Sequence, residues 1–505
     1  MILVWLIVVL FSGGVLAWIA ARWNEAAARW ISLAAVTADF LLSLELWRKY
    51  SAGAHFLPNG PWLVDFNAEW ISIPLAGVNI HLHLAMDGLS LLMVALTCLL
   101  GIMSVLTSWR EISQRVGFFH LNLMAILGAI VGVFLAVDLF LFYFAWELML
   151  VPMYFLIAVW GHERRIYAAV KFFIFTQACG LLMLVSILAL VFAHHQATGV
   201  YTFEYADLLN TPLSRGAAFL MMLGMFLGFA VKLPMFPLHP WLPDAHTEAP
   251  TAGSLILAGL LLKTGAYGLL RFVLPLFPEA SRDFAPAAMT LAVAGIVYGA
   301  VMAFAQTDLK RLVAYTSVSH LGFVLLGIYA RNDWALEGAL VSMIAHGVST
   351  GSLFMLVGQL QERTHTREMD RLGGLWATIP RLSGIAMFFA MGSMGLPGLG
   401  DFVGEFLVLM GTYYAGHFGL TVAASVGVLF STLYALKFIQ RAYHGPNTHQ
   451  WKIQDLAPRE ALIFAPMIVV LLWLGVYPQP VIRTFQPAMQ AIQQFSNAPG
   501  EAPPR

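Results

Sequence analysis

The chain has 505 residues, of which 60% are hydrophobic and only 11% are charged, and its 27 basic and 27 acidic side chains give no net charge. Soluble domains carry roughly 45–50% apolar and about 25% charged residues, so this composition excludes a soluble fold, a basic nucleic-acid-binding face and an acidic tail. The two cysteines, Cys98 and Cys179, lie in apolar runs without the paired spacing of disulfide scaffolds, iron–sulfur sites or zinc sites. The sequence therefore predicts an all-α polytopic membrane protein.

Apolar segments follow one another along almost the whole chain. The first twenty residues have no basic residue before them, which predicts a retained first helix rather than a cleaved signal peptide. A membrane-spanning helix needs about 20 apolar residues. On that scale the sequence predicts fourteen helices, near residues 1–20, 30–47, 86–107, 118–137, 139–160, 166–193, 217–248, 250–272, 284–306, 309–329, 335–360, 382–415, 418–441 and 460–482.

Two connections are long enough to have structure of their own. Residues 49–80, which include Pro58 and Pro61, are expected to form a loop. Residues 200–216 combine aromatic and polar side chains, and we expect them to form an amphipathic helix at the membrane surface. The chain contains neither a glycine-rich dinucleotide fingerprint nor a phosphate-binding loop. If the protein needs soluble redox or ATPase chemistry, that chemistry must therefore come from other chains.

Lys and Arg are distributed unevenly between the loops. The loops after odd-numbered helices carry fifteen of them, including Lys310, and the loops on the other side carry eight, including Arg271. Since basic residues accumulate on the cytoplasmic side of membrane proteins, the odd loops are predicted to be cytoplasmic. Both termini are then predicted to be periplasmic.

Helices 7 and 12 are each longer than one crossing and are interrupted midway. Helix 7 has Pro234 and Pro237 directly after Lys232, and helix 12 has a glycine- and proline-rich segment at residues 395–400. Proline removes a helix hydrogen bond, so both helices should be discontinuous. If helices 4–8 and 9–13 are two five-helix units, both interruptions fall on the fourth helix, and the odd number of helices makes the second unit inverted. Two unrelated proline kinks are the alternative. The predicted divisions are 1–117 (helices 1–3), 118–272 (first repeat), 284–441 (second repeat) and 442–505 (loop, helix 14 and tail).

Six ionisable residues lie within predicted helices, where a charge costs about 2.5–3.5 kcal/mol even on lenient scales. They are Glu147, Lys232, Lys263, His320, His346 and Glu405. Buried acids, lysines and histidines can hold or pass a proton near neutral pH. The set therefore predicts a proton path.

Five of these residues also have a structural alternative, and for Lys263 it is a side chain that extends to the membrane interface. Glu147 and Lys232 could form a static ion pair between two helices, and His320 and His346 could make ordinary polar contacts or ligate a haem. Several other charged residues lie near predicted helix ends, where a solvated or helix-capping role is expected; the group in or near the helices comprises Asp39, Glu45, Asp87, Asp138, Lys171, Asp401 and Lys437.

Four long motifs resemble the antiporter-like membrane subunits of respiratory complex I, and the resemblance covers essentially the whole chain. The motifs are at residues 144–154 (FAWELMLVPMY), 232–239 (KLPMFPLH), 241–250 (WLPDAHTEAP) and 306–320 (QTDLKRLVAYTSVSH). Within that family the M-type subunits are most similar. Helix 12 carries Glu405 where L-type relatives are expected to carry lysine, no long lateral helix is expected after helix 14, and residues 80–90 (IHLHLAMDGLS) look M-like.

The resemblance implies a fourteen-helix fold with inverted repeats at helices 4–8 and 9–13, and a proton-translocating subunit in the membrane arm of an NADH–quinone oxidoreductase. It implies that the proton path runs through Glu147, Lys232, Lys263, His320, His346 and Glu405. The chain itself is expected to hold no cofactor or metal; NADH, FMN, iron–sulfur clusters and quinone are expected in partner subunits.

Expected partners are the L-type and N-type antiporter-like subunits on either side, the lateral helix of the L-type subunit, and lipids of the bacterial inner membrane. Two other classes stay open. One is a subunit of an Mrp-type sodium–proton antiporter or of a membrane-bound hydrogenase, and the other is a scaffold that transports nothing.

Overall fold

The computed structural model describes residues 1–51, 62–73, 77–447 and 449–496. Thirteen helices in these ranges are long and apolar enough to cross a membrane: α1 (Ile2–Ala20), α2 (Glu25–Ser51), α3 (Gly88–Glu111), α4 (Val116–Leu135), α5 (Leu139–Trp160), α6 (Arg165–Thr198), α7a (Arg215–Lys232), α8 (Thr251–Leu276), α9 (Pro278–Ala305), α10 (Leu309–Tyr329), α11 (Asp333–Thr364), α13 (Phe418–Ala442) and α14 (Pro458–Val476). A further crossing consists of two shorter helices, α12a (Pro380–Ser393) and α12b (Gly400–Tyr414). The predicted all-α polytopic class with about fourteen crossings is confirmed.

Helix 7 is interrupted where the prolines predicted it. After α7a the chain turns through residues 233–240 and continues as α7b (Trp241–Glu248). The Trp241 indole Nε1 donates a hydrogen bond of 3.0 Å to the carbonyl of Val231, in the last turn of α7a. A carbonyl near the interruption therefore has a partner inside the protein, which membrane-embedded irregular backbone requires.

Helix 12 is interrupted by glycine. Gly395 and Gly398, between α12a and α12b, have φ angles of +76° and +95°. Glycine reaches this left-handed region without the steric cost that a Cβ atom brings. The interruption predicted at residues 395–400 is confirmed.

Three helices, α8, α10 and α11, are enclosed by the others along their whole apolar length. Helix α8 contains two π-helical segments, Leu257–Leu261 and Leu269–Val273, on either side of an α-helical turn that carries Lys263. Wider π-helical turns leave carbonyl groups without their usual partners and are frequent at functional sites. The middle of the bundle is thus the place where backbone and ionisable groups meet.

The prediction of a loop over residues 49–80 is wrong for the part that the structure describes. Helix α2 continues to Ser51, and an antiparallel hairpin follows, with β1 (Val64–Ile73) and β2 (Val78–Met86). Apolar and polar side chains alternate along β1, which is the period of a strand rather than of a loop. Pro58 and Pro61 lie outside the described residues.

The amphipathic helix predicted over residues 200–216 is also wrong. The segment begins with β3 (Tyr201–Thr202), which pairs in parallel with β2, and only Tyr205–Leu208 form a helical turn. The Tyr205 N–H donates to the carbonyl of Val137 at 3.0 Å. Main-chain pairing with the chain before α5 therefore holds this segment extended.

The C-terminal part differs from the prediction of one helix over 460–482 and a tail. Helix α14 ends at Val476, and a separate helix α15 (Gln479–Ser496) follows Pro478. Proline cannot continue a helix without losing a hydrogen bond. Along α15, Val481, Phe485 and Met489 recur every four residues and are buried, so this helix packs one apolar face against the bundle. At the start of the second predicted repeat, α9 opens with Pro278, ahead of the predicted residue 284.

Two residues that the orientation count assigned to loops are buried. Arg271 is 4% exposed and forms an ion pair with Asp87, and Lys310 is 0% exposed and donates to the carbonyl of Ala249. Neither residue marks a loop, so the count was wrong for both. Removing Lys310 from the count of the odd loops and Arg271 from that of the other loops leaves the roughly two-to-one excess of Lys and Arg in the odd loops unchanged.

Candidate functional site

Four of the six predicted path residues lie in one row of contacts across the centre of the bundle. Lys263 Nζ is 2.6 Å from Nδ1 of His346. The rings of His346 and His320 have their centroids 5.6 Å apart, and Nδ1 of His320 is 2.6 Å from Oε1 of Glu405. All four side chains are buried. Groups that donate and accept protons therefore follow one another with no large gap.

Each residue of the row comes from a different helix. Lys263 is on α8, His320 on α10, His346 on α11 and Glu405 on α12b. Lys263 Nζ also donates to the carbonyl of Ala258, which lies in the first π-helical segment of α8. Because α8 belongs to the first predicted five-helix unit and the other three helices to the second, the row joins the two units.

Hydroxyl groups complete the environment of His320. Its Nε2 is 3.0 Å from the Tyr434 hydroxyl and 3.2 Å from the Ser393 hydroxyl. With Nδ1 on Glu405, both ring nitrogens are engaged, so His320 has no nitrogen left for a haem iron. The haem alternative is not supported, and the hydroxyls supply groups that both donate and accept.

Asp401 lies beside this row, close enough to Lys263 and His320 to interact with them electrostatically, although a solvated or capping role was expected of it. It is 3% exposed, its Oδ1 accepts a hydrogen bond of 3.0 Å from the Ser349 hydroxyl, and its Oδ2 has no partner among the described residues. Asp401 is in the first turn of α12b, but that turn begins inside the protein because helix 12 is interrupted. By contrast, Asp87 and Asp138 do cap helices, at the start of α3 and of α5.

Glu147 and Lys232, the other two path residues, form a second site near α5 and α7a. Among the described residues no ion pair joins them, so the static pair is not the arrangement seen, although they are close enough to interact electrostatically. Lys232 Nζ lies 5.2 Å from the Trp146 ring centroid and 5.4 Å from that of Phe172, and it has no hydrogen-bond partner in the described structure. The lysine is therefore held between two aromatic faces, which attract a cation.

The Glu147 carboxyl lies against helix α6 at the edge of the bundle. Tyr143 and Gln177 approach it, and its Oε1 has no hydrogen-bond partner within the described ranges. A Cβ atom on Gly180 would overlap this oxygen. Glycine at position 180 thus makes the space for the carboxyl.

A third group of polar residues continues the row from Lys263 toward the ends of α3 and α10. His246 is fully buried on α7b, and it is close enough to both Lys263 and Lys310 to interact electrostatically. Its ring stacks on Phe354 with centroids 4.4 Å apart, and neither nitrogen has a partner among the residues described. Sequence reasoning missed His246, although it lies in one of the quoted motifs.

Next to Lys310 lies a partly buried acid, Glu111. The charge of Lys310 interacts with Glu111, whose Oε1 accepts hydrogen bonds of 2.9 Å from both the N–H and the hydroxyl of Thr251, at the start of α8. The other oxygen, Oε2, has no partner in the part of the chain described. The predicted odd-loop side of the bundle is thereby linked to Lys263.

Comparisons with known proteins show the family of the chain. Residues 136–431 match the family described as NADH:quinone oxidoreductase/Mrp antiporter, TM. The chain belongs to this family. No group of three or more His, Cys, Asp or Glu side chains in the described residues is arranged to hold a metal ion.

Similar proteins cover the chain from end to end. NADH-quinone oxidoreductase subunit M of Pseudomonas aeruginosa is 55% identical over 506 residues, covering 99% of this chain and 98% of that protein, and subunit M of Escherichia coli K12 is 54% identical, covering 98% of each. These matches confirm the M-type resemblance inferred from the motifs.

Two solved structures have a similar fold. A chain of respiratory complex I from Thermus thermophilus with bound NADH is 32% identical, covers 98% of this chain and 100% of its own length, and superposes with a TM-score of 0.87. A chain of the Mrp complex from Dietzia sp. DQ12-45-1b, 19% identical, has a TM-score of 0.82, and this likeness concerns the fold alone.

Proposed function

We propose that the chain translocates protons as an M-type, antiporter-like subunit in the membrane arm of an NADH–quinone oxidoreductase. NADH oxidation and quinone reduction, with their FMN and iron–sulfur clusters, belong to other subunits. The buried row Lys263–His346–His320–Glu405 is the observation that carries the proposal. Its members come from both predicted units, and each lies next to the following one in space. A scaffold would gain nothing from so many buried ionisable groups, which are costly in a membrane.

Protons enter the row from the predicted cytoplasmic side. Glu111, Lys310 and His246 form the sequence of ionisable groups that ends at Lys263. His246 has both ring nitrogens without partners among the described residues, so it can accept a proton on one and release one from the other. Water molecules bridge the gaps that exceed hydrogen-bond length.

Transfer along the row follows the contacts. The Lys263 ammonium gives a proton to Nδ1 of His346, and the neutral amine is then ready for the next proton from His246. The proton passes from His346 to His320, and Nδ1 of His320 gives it to the Glu405 carboxylate. The groups are coupled, so protonation of one changes the proton affinity of the next.

Glu147 controls whether Lys232 keeps its proton. A carboxylate close to the ammonium stabilises it, whereas burial alone favours the neutral amine. A displacement of Glu147 therefore releases a proton from Lys232 into the bundle. Glu147 is half-buried at the edge of α5, where a neighbouring subunit can move it or sense its charge.

The decisive experiment replaces Lys232 or Glu147 by alanine in the whole complex. We expect the complex to assemble, and proton pumping and the NADH–quinone turnover coupled to it to be abolished in reconstituted vesicles. Lys437→Ala is the matched control: within the described ranges Lys437 Nζ donates to the carbonyls of Phe304 and Gln306, and to no member of the row. Full pumping by an assembled Glu147→Ala complex would contradict the proposal.

The placement in the cell is proposed together with the function. The subunit lies in the bacterial inner membrane between L-type and N-type antiporter-like subunits, contacts the L-type lateral helix and lipids, and has both termini in the periplasm. The distribution of Lys and Arg supports this orientation.

Single cysteines test the orientation after Cys98 and Cys179 have been replaced by serine. A cysteine at position 23, between α1 and α2, should be labelled from the cytoplasm by a membrane-impermeant maleimide. A cysteine at position 199, after α6, should be labelled from the periplasm. The reverse pattern would show that the subunit is inserted the other way round.

A further inference from the structure

A cluster of ionisable residues outside the membrane helices joins the hairpin to the segment after β3. His83, on β2, has Nδ1 2.5 Å from Oε2 of Glu204 and Nε2 2.9 Å from Oδ1 of Asp65. His81, on the same face of β2, has Nδ1 2.7 Å from the Asn67 side-chain oxygen and 3.8 Å from Glu204. The proton row described above uses none of these residues.

The same cluster is attached to the first turn of α5. Oδ2 of Asp138 accepts a hydrogen bond of 3.3 Å from the main-chain N–H of His81, while its Oδ1 caps α5 by accepting from Phe140 and Leu141 at 2.9 Å each. The carbonyl of His83 accepts from the N–H of Val137 at 3.1 Å. These hydrogen bonds therefore transmit a movement of the cluster directly to the first turn of α5.

Two ring N–H groups satisfy the contacts of His83 best, because each ring nitrogen faces a carboxylate. A neutral imidazole has one donor and one acceptor nitrogen, so it can donate to only one of its two carboxylates and must turn a lone pair toward the other. An imidazolium donates to both. Acidic side chains around the cluster come from every neighbouring element: Asp65 and Glu69 on β1, Glu204 after β3, and Asp138 before α5. None of them forms an ion pair with Lys or Arg in the residues described.

We propose that Asp65, His81, His83 and Glu204 form a proton-dependent clasp, which holds the hairpin to the start of α5 when His83 is protonated and loosens when it is neutral. The bound species is a proton from the aqueous side on which the hairpin lies.

The direction of the pH dependence follows from the charges. Burial lowers the pKa of His83, but its hydrogen bonds and charge interactions with Glu204 and Asp65 outweigh burial, and the pKa is raised above its ordinary value. Such a group stabilises the closed clasp fully below the pKa of the open form, and this stabilisation is lost as pH rises through the raised pKa. Burial raises the pKa of Asp138 to about 6, and the main-chain hydrogen bonds that it accepts from Leu141, His81 and Phe140 oppose this rise.

Helix α5 gives the clasp a functional consequence. Glu147 lies eight residues after Leu139, about 12 Å along the helix axis. A shift at the first turn of α5 reaches Glu147 through a rigid helix, so pH on the hairpin side would bias the Glu147–Lys232 site. This consequence rests on the proposed function; the clasp itself does not.

The test is hydrogen–deuterium exchange of the purified, assembled complex between pH 5.5 and 8.5, corrected for the intrinsic pH dependence of amide exchange. Amides of β2 and of residues 201–205 should lose protection as pH rises, on the order of tenfold for each unit by which the pKa of His83 in the closed clasp exceeds that in the open one. In His83→Gln the glutamine side chain can still hydrogen-bond but does not titrate, so this pH dependence should disappear.

Two further variants make the result decisive. Glu204→Gln removes the carboxylate that both His81 and His83 approach, and it should also flatten the pH profile of amide exchange. This variant replaces His83→Gln as the test if the His83 variant fails to assemble. Ser72→Ala is the matched control, because it removes a hairpin hydrogen bond of 2.8 Å to Asn79 without touching the clasp and should keep the wild-type profile. The same profile in wild type, His83→Gln and Glu204→Gln would overturn the clasp. These exchange profiles do not depend on pumping, so a failure of the proposed function would leave them unchanged.

Discussion

The two sites of the bundle differ in how their ionisable groups meet. In the central row, Lys263, His346, His320 and Glu405 are in contact or nearly so. At the α5–α7a site, Lys232 is held between the rings of Trp146 and Phe172, and Glu147 does not form an ion pair with it among the described residues. One site is connected in this conformation and the other is not. Under the proposed function, the central row conducts protons, and the α5–α7a site determines when a proton is released.

The difference has a physical basis in the helices. The central row crosses three fully enclosed helices, where neighbouring groups have few alternative positions. Glu147 instead lies on a helix whose flanking residues Phe144 and Val151 are exposed, each 48%, so that a neighbouring subunit can contact this edge. Glu147 can therefore move at the edge of the bundle, whereas the residues of the central row are held in contact inside it.

Among changes that keep both Glu147 and Lys232, breaking the central row should have the largest effect. His320→Ala removes both its contact with Glu405 and its hydroxyl partners, and proton transfer by a positioned side chain typically contributes a factor of at least about a hundred. We expect coupled turnover and pumping to fall on the order of a hundredfold in the assembled complex. His194→Ala is the control, since His194 bonds Thr211 at 3.0 Å outside the row. A loss in both variants alike would point to a general structural effect.

Removing an aromatic face tests the second site. Trp146→Leu takes away one of the two rings that hold the Lys232 ammonium, an interaction of about 2 kcal/mol in a desolvated place. Coupled turnover should fall about thirtyfold, because the lysine no longer retains its proton between cycles. Trp146→Phe keeps a ring face and should recover most of the activity. Equal rates for the leucine variant and the wild type would mean that the aromatic contact has no part in proton release.

Much of this arrangement could be predicted from sequence, because an ionisable residue in an apolar segment is visible without a structure. Lys263 and Glu405 were found in that way. Asp401 was missed because a residue near a helix terminus is usually solvated, whereas the terminus of an interrupted helix lies inside the protein. Lys310 was misplaced for a related reason: it begins α10, but the carbonyl of Ala249 covers it.

The hairpin and α15 were missed for a different reason. A search for apolar segments of membrane length passes over the two-residue period of β1 and the four-residue period of α15. The contact between Lys263 and His346 could not be predicted at all, because it depends on how two helices pack. Distance along the chain, 83 residues in this case, carries no information about it.

A smaller change tests whether the position of Glu147 matters. Gly180→Ala places a methyl group against the Glu147 carboxyl, at a cost of about 1–3 kcal/mol if the carboxyl cannot move. We expect the carboxyl to be displaced and coupled turnover to fall about tenfold, with assembly retained. Gly384→Ala, a helical glycine with open space around it, should leave turnover unchanged. Undiminished pumping in Gly180→Ala would show that Glu147 tolerates displacement and does not act through its position.

The smallest expected effect concerns Asp401, which lies close to Lys263 and His320 and accepts a hydrogen bond from the Ser349 hydroxyl. Ser349→Ala removes this hydrogen bond, worth about 1 kcal/mol, and leaves both carboxyl oxygens of Asp401 without a side-chain partner. Coupled turnover should fall about fivefold, measured as proton uptake per NADH oxidised and as NADH–quinone turnover in vesicles. Ser352→Ala on the same helix α11 is matched to it, because in the described part of the chain the Ser352 hydroxyl donates to the carbonyl of Val348 and to no acid. If the two serine variants behave alike, Asp401 is a buried acid beside the row; a loss confined to Ser349→Ala makes it part of the row.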